Sequence, residues 1–196
     1  MKLSFKYYKV NTLIFFIVAL IAIHSIIVSL IPETFNWIPS VSAIAFISFV
    51  LIAYDKKLWK YFPYLLNIKD VSGRYEGTLK SNYNGGKEIH IIIEISQTSS
   101  YVYIRQFSYD NELISCSESI NEHLIMKPDG SIEISFAYKN DGIENSNTIN
   151  EHKGFCVLNC SIGKNDLKGY YFSNREEPTK GTIETKFVGK KLKGTY

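Results

Sequence analysis

Residues Asn11–Ile31, NTLIFFIVALIAIHSIIVSLI, form a run of 21 residues without one formally charged side chain. As an α-helix rising about 1.5 Å per residue, the run spans about 30 Å, the thickness of a bilayer's hydrocarbon core. Pro32 ends it. A second apolar run of 17 residues, Ile38–Tyr54 (IPSVSAIAFISFVLIAY), sits at the short end of the spanning range. The connector 32–37 leaves room only for a tight turn. The sequence therefore predicts a two-helix transmembrane hairpin: a basic N-terminus (1–10), a first span (11–31), a turn (32–37), a second span (38–54) and a juxtamembrane linker (55–70) before the remainder (71–196). A secretory signal peptide fits less well, because the run is too long, no small-residue cleavage site follows, and a second span does.

Charge placement orients the hairpin. Lys2, Lys6 and Lys9 precede it and Lys56, Lys57 and Lys60 follow it, while the connector carries no Lys or Arg. By the positive-inside rule both outer ends face the cytoplasm and the turn faces out. Trp37 on one side, with Tyr54 and Trp59 on the other, suit interfacial anchors. His24, Ser25 and Ser29 interrupt the first span, and His24 is expected to be a neutral imidazole hydrogen-bonded within the hairpin or between copies. Ser40, Ser42, Ala43, Ala45 and Ser48 give the second span small residues for close helix packing, which permits self-association.

The flanks account for the net charge of +3, since the rest of the chain holds 16 basic and 17 acidic residues. The folded region thus has no basic excess of the kind that binds DNA or RNA. Cys116, Cys156 and Cys160 are too few and odd in number for a disulfide framework and fit a reducing compartment. Cys156 and Cys160 alternate with Leu158 along one apparent strand, so packing is preferred to metal ligation with His152.

From Asp70 onward the pattern changes to short alternating runs. Nine read as strands: Gly73–Ser81, Glu88–Ser96, Tyr101–Ser108, Leu113–Ile120, Ile132–Lys139, Gly154–Ser161, Leu167–Ser173, Gly181–Val188 and a final Lys191–Tyr196. Turn signals separate them, among them Asn84-Gly85-Gly86, Pro128-Asp129-Gly130, Asn140-Asp141-Gly142 and Gly163-Lys164-Asn165-Asp166. The expected fold is all-β, a small antiparallel closed barrel of about eight strands, a size that leaves room for one small ligand. Alternation groups Ile91, Ile93, Ile95 and Gln97 on one face. It also groups Tyr101, Tyr103, Arg105 and Phe107; Ser115, Ser117 and Ser119; Ile134, Phe136 and Tyr138; and Gly169, Tyr171, Ser173 and Arg175. Several faces begin apolar or aromatic and end polar, as the lining of a pocket for flat rings and anionic groups would.

The chain has 19 lysines but only three arginines, Arg74, Arg105 and Arg175, all in the β region. Arginine's planar fork suits phosphate. Rim ion pairs explain the same three residues, and composition alone favours that alternative. Motifs for a nucleophile elbow, a zinc protease, a P-loop or a dinucleotide fold are missing, and His90, His123 and His152 show no catalytic spacing. An enzyme is not expected, nor a cofactor or a metal.

Several segments in order carry a family resemblance: Gly73-Arg74-Tyr75-Glu76-Gly77, Ile95-Ser96-Gln97-Thr98, Ser115-Cys116-Ser117, Ile134-Ser135-Phe136-Ala137-Tyr138, His152-Lys153-Gly154, Leu167–Arg175 and Thr179-Lys180-Gly181. Placed behind a two-span hairpin, they resemble the SMODS-associating two-TM, β-strand-rich effectors of bacterial CBASS anti-phage systems. Two positions depart from that pattern: Tyr75 stands where Trp is expected, and Glu176-Glu177 separate Arg175 from Pro178. The resemblance implies a bacterial inner-membrane protein whose cytoplasmic barrel binds a cyclic nucleotide made by a partner nucleotidyltransferase. The two-helix segment then assembles as a homo-oligomer and breaches the bilayer, killing the infected cell. It implies pocket residues Tyr75, Gln97, Arg105, Ser117, Tyr138, Tyr171, Arg175 and Thr179, with Arg175 on phosphate and Tyr171 as a stacking platform. The alternatives are a membrane-tethered barrel for an apolar ligand and one that anchors a partner protein.

Overall fold

The computed structural model describes residues 3–32, 42–82, 86, 88–110, 112–142, 151–161 and 166–194. The chain divides into two compact units, one of residues 1–67 with 98–101 and one of 68–97 with 102–196. Residues 33–37 of the expected turn with Trp37, the start of the second span, and the turn residues Asn84-Gly85 and Gly163-Lys164-Asn165 lie outside the described residues.

The N-terminal unit holds α1 (Val10–Ser29) and α2 (Ala43–Lys56), followed by two 3₁₀ turns, Leu58–Lys60 and Pro63–Leu65. Helix α1 is apolar around its whole circumference, and only Leu13 and Leu20 are buried against protein. A helix of that kind needs an apolar surround. Among the described residues it is the one helix long and apolar enough to cross a membrane. Helix α2 has 14 residues, shorter than the expected second span, and Ser42 caps it by accepting the Ala45 N–H at 3.2 Å. His24 faces Phe46 with ring centroids 5.6 Å apart, while the hydroxyls of Ser25 and Ser29 donate back to the carbonyls of Ile21 and Ile26.

Tyr54 and Trp59, expected as outward interfacial anchors, are instead packed inside this unit at 3 % and 1 % exposure. The Tyr54 hydroxyl donates to the Phe62 carbonyl at 2.7 Å, and its ring meets Tyr8 and Phe16. That internal satisfaction removes the polar handle an interfacial residue would offer to lipid headgroups. The exposed aromatics near the lysine cluster are Tyr61, Phe62 and Tyr64. Asp55 is also buried, its Oδ1 accepting from the Ser99 hydroxyl at 2.7 Å and the Ser100 N–H at 2.9 Å, and Ser99 in turn meets the Tyr8 hydroxyl at 2.5 Å.

The second unit is a closed antiparallel barrel in which every strand pairs with its chain neighbours and β8 closes on β1. The strands are β1 (Gly73–Ser81), β2 (Glu88–Gln97), β3 (Val102–Asp110), β4 (Glu112–Met126), β5 (Ile132–Gly142), β6 (His152–Cys160), β7 (Leu167–Ser173) and β8 (Lys180–Gly189). The expected ninth strand does not form over 191–194. There the Lys193 and Gly194 N–H groups donate to Glu94, which takes the place of a ladder. Two strands outrun their expected ends by three residues or more. β4 continues to Met126 through a register shift between Ser119 and Asn121, which carries pairing past polar residues that read as a break. Asn140-Asp141-Gly142 reads as a turn, yet β5 continues through it, because Asn140 pairs with Ser117 and His152 on its two sides. The Pro128-Asp129-Gly130 turn forms where expected, with Gly130 at φ 79° and its N–H donating to Lys127.

Register and burial fix the inner face. Ile91, Ile93, Ile95 and Gln97 on β2 oppose Ser108, Gln106, Ile104 and Val102 on β3. Ile134, Leu158, Leu167 and Ile183 fill the interior and are fully enclosed. At about 25 cal/mol per Å² of apolar surface removed from water, this aliphatic layer is the main stabilising term of the barrel.

Candidate functional site

The barrel interior changes from apolar to polar along its axis. One end is the aliphatic layer with Tyr75 and Gln97. The other is set by where β1, β3, β5 and β7 finish and β2, β4, β6 and β8 begin, and its inner face is rich in hydroxyls and amides. Register places Tyr138, Gly154 and Ser173 in one row across β5, β6 and β7, with Thr179 just before β8. Tyr171 pairs with Cys156 and Gly181 in the adjacent row, and Gly181 pairs with Ser81. Asn140 links Ser117 to His152.

These side chains are tied to one another. Asn140 Nδ2 donates to Ser117 Oγ at 2.8 Å, and Tyr171 donates to Ser81 Oγ at 2.7 Å. Ser173 and Thr179 share a hydrogen bond at 2.7 Å, and the Ser173 N–H donates to the Thr179 carbonyl at 2.8 Å. That clasp closes the loop bearing Arg175. Asn174 secures the loop's far side, donating its N–H to the Lys153 carbonyl and accepting the Lys153 N–H at its Oδ1, both at 2.9 Å. Arg175 is half-buried, and its charge acts on the Tyr138 phenol. Burial pushes the Tyr138 phenol well above its ordinary value, Cys156 and Tyr171 add to this, and Arg175 only partly offsets it. The phenol is therefore a neutral donor at physiological pH.

Two glycines make space for the aromatic rings. A Cβ at Gly154 would run into the Tyr138 hydroxyl and the Phe172 carbonyl, and one at Gly181 would come within 2.7 Å of the Tyr171 ring. Cys156 lies beneath, and burial raises its thiol far above the reactive range. No group of His, Cys, Asp and Glu suited to a metal occurs among the described residues.

Five of the eight residues expected at a pocket come together here: Ser117, Tyr138, Tyr171, Arg175 and Thr179. The other three lie elsewhere. Tyr75 is in the opposite half of the interior, donating to the Val71 carbonyl at 2.8 Å and packing edge-on against Phe187. Gln97 is at that same end, where its amide holds the Val71 N–H at 2.9 Å and the Lys69 carbonyl at 3.1 Å. Arg105 points outward on β3, 3.2 Å from Glu118 and with its guanidinium over the Phe107 ring. Its strand-mates Tyr103 and Phe107 are outward too, because their neighbours Ile104 and Gln106 pair with the inner Ile95 and Ile93. Ser81, Asn140 and His152 were not expected at the site. Parity along β1 from Leu79 reaches Ser81, but the place of Asn140 depends on the β4–β5 register.

Residues 66–186 match the family model described as Cap15, cyclic dinucleotide receptor domain. No curated protein matches the chain. The match covers the barrel from just before β1 nearly to the end of β8, which is more than half of the chain, and the chain belongs to the Cap15 cyclic dinucleotide receptor family.

Proposed function

We propose that the chain is the membrane effector of a CBASS-type antiviral system and receives a cyclic dinucleotide at the polar end of its barrel. The supporting observation is the convergence of the clasped Arg175 loop with Tyr138, Tyr171, Ser117 and Thr179 at one end of a β-barrel of this receptor family. A cyclic dinucleotide offers two flat bases and two phosphates. Tyr171 and Tyr138 are suited to stack on a base, while Arg175, assisted by the Thr179 and Ser117 hydroxyls, is suited to a phosphate. The same polar lining is poorly matched to an apolar ligand, which would cover the Arg175 charge and the hydroxyls without offering them a hydrogen bond.

On this proposal a partner nucleotidyltransferase supplies the ligand and both ends of the membrane segment face the cytoplasm. Occupied barrels then favour an assembled state of the spans that breaches the inner membrane. A ligand shifts such an equilibrium only by its differential affinity for the two states, so binding and assembly must be coupled.

Calorimetry of the full chain in detergent against cyclic dinucleotides built from adenine, guanine, cytosine and uracil tests the first step. At least one should bind, and Arg175→Ala should weaken it by about tenfold or more, as expected for loss of a charge-assisted contact. Dye release from vesicles carrying the chain tests the second. Release should follow addition of the ligand that binds; release independent of ligand would contradict gating.

A further inference from the structure

At the polar end, one buried acceptor has nothing to accept. Asn140 is 4 % exposed, and its Nδ2 is committed to Ser117 Oγ at 2.8 Å, yet its Oδ1 has no hydrogen-bond partner. Buried carbonyl oxygens are nearly always satisfied, and leaving one empty costs about 1–3 kcal/mol. Nδ2 is the end of the amide turned to Ser117, which leaves Oδ1 as its free end. Register sets Asn140 between Ser117 and His152 on the inner face, and Tyr138, the preceding inner residue of β5, makes an edge-on contact with the His152 ring. The empty oxygen therefore lies in the same inner layer as the aromatic groups.

Phosphates and ribose ether oxygens carry no hydrogen and cannot satisfy an acceptor, so the ligand's donors are its ribose hydroxyls and its base N–H groups. The Tyr138 ring in the same layer, suited to stack on a base, favours the base. Every nucleobase, by contrast, presents an N–H donor on its pairing edge. We infer that Asn140 is a base-reading residue, its Oδ1 accepting an N–H from the pairing edge of a base while Arg175 holds the phosphate side. This inference rests on the ligand site proposed above. Ser117 then acts as a positioning residue that holds the Asn140 side chain by its Nδ2 and leaves Oδ1 for the base.

The test measures binding of the full chain in detergent to whichever of the four parent cyclic dinucleotides binds most tightly. The comparison compounds are analogues whose base N–H donors on the pairing edge are replaced by hydrogen or blocked by methyl. The wild type should bind the parent about tenfold to a hundredfold more tightly than its analogues, the span expected for one buried unsatisfied group. Asn140→Leu, which fills the space without an acceptor, should bind parent and analogues within about twofold of each other. Ser117→Ala should narrow the preference while Asn140 remains. If the wild type binds parent and analogues equally, the inference falls whether or not any variant folds. It falls too if a folded Asn140→Leu keeps the preference. If none of the parents binds, the ligand site itself is overturned, and base reading with it.

Discussion

Arg74 donates from Nε to Glu76 and from Nη1 to Glu94, both at 2.7 Å, with 7 % of its side chain exposed. Arg175 is held in a loop by the Ser173–Thr179 clasp. Composition alone made the arginines equivalent, because a rim ion pair and a phosphate contact need the same residue type. The resemblance singled out Arg105 and Arg175, and the structure ties Arg74 and Arg105 into ion pairs with glutamates. Arg74→Ala should lower thermal stability by about 3–5 kcal/mol, the cost of stranding a buried charge, as read by denaturant melts. Arg175→Ala should leave those melts nearly unchanged while weakening ligand binding. Glu94 adds a pH dependence. Burial alone would raise its carboxyl, but the Lys193 and Gly194 N–H groups and Arg74 outweigh that and hold it below its ordinary 4.5. The folded state thus takes up this proton less readily than the unfolded chain. The stabilisation is complete above 4.5 and is lost as pH falls through the lower folded value. Melts of Glu94→Gln between neutral pH and acid should show a shallower loss of stability in that window than the wild type; an unchanged slope would remove Glu94 from the acid response.

Strands β5, β6 and β7 show what alternation can and cannot convey. Which residues share a face was legible, since side chains repeat every second position: Ile134, Phe136 and Tyr138 do lie together, as do Gly169, Tyr171 and Ser173. Which face turns inward was not always legible. On β3 the aromatic face of Tyr103, Arg105 and Phe107 looked like a lining but is the outer one. Phe107 is nonetheless fully enclosed, with Arg105 across its ring and Ile92 and Cys116 beside it in register. Burial on the outside of a barrel defeats any rule equating aromatic with inward. Close approach was equally hidden, because nothing near Gly154 in sequence reveals that Tyr138 lies over it. Gly154→Ala should cost about 1–3 kcal/mol by overpacking and displace the Tyr138 ring. Denaturant melts measure the first effect, and ligand affinity, expected to fall with the ring's displacement, measures the second.

For the whole molecule, the apolar run that constrained the sequence most is α1, a helix with almost no protein burial that is long and apolar enough to cross a membrane. The barrel's closure was legible from the regular spacing of short strands. Its axial polarity was not, because that depends on eight registers at once, and a one-residue slip in any of them reverses a face. A barrel of about eight strands either fills its middle with side chains or holds one small ligand, and the proposed placement puts the ligand at the polar end. The most direct test of that placement is hydrogen exchange of the full chain in detergent, with and without a saturating cyclic dinucleotide. The account predicts new protection concentrated in residues 138–140, 152–154 and 171–181, with little change around Tyr75 and Gln97. Protection centred instead on Tyr75 and Gln97, or on the outward face bearing Arg105, would contradict it.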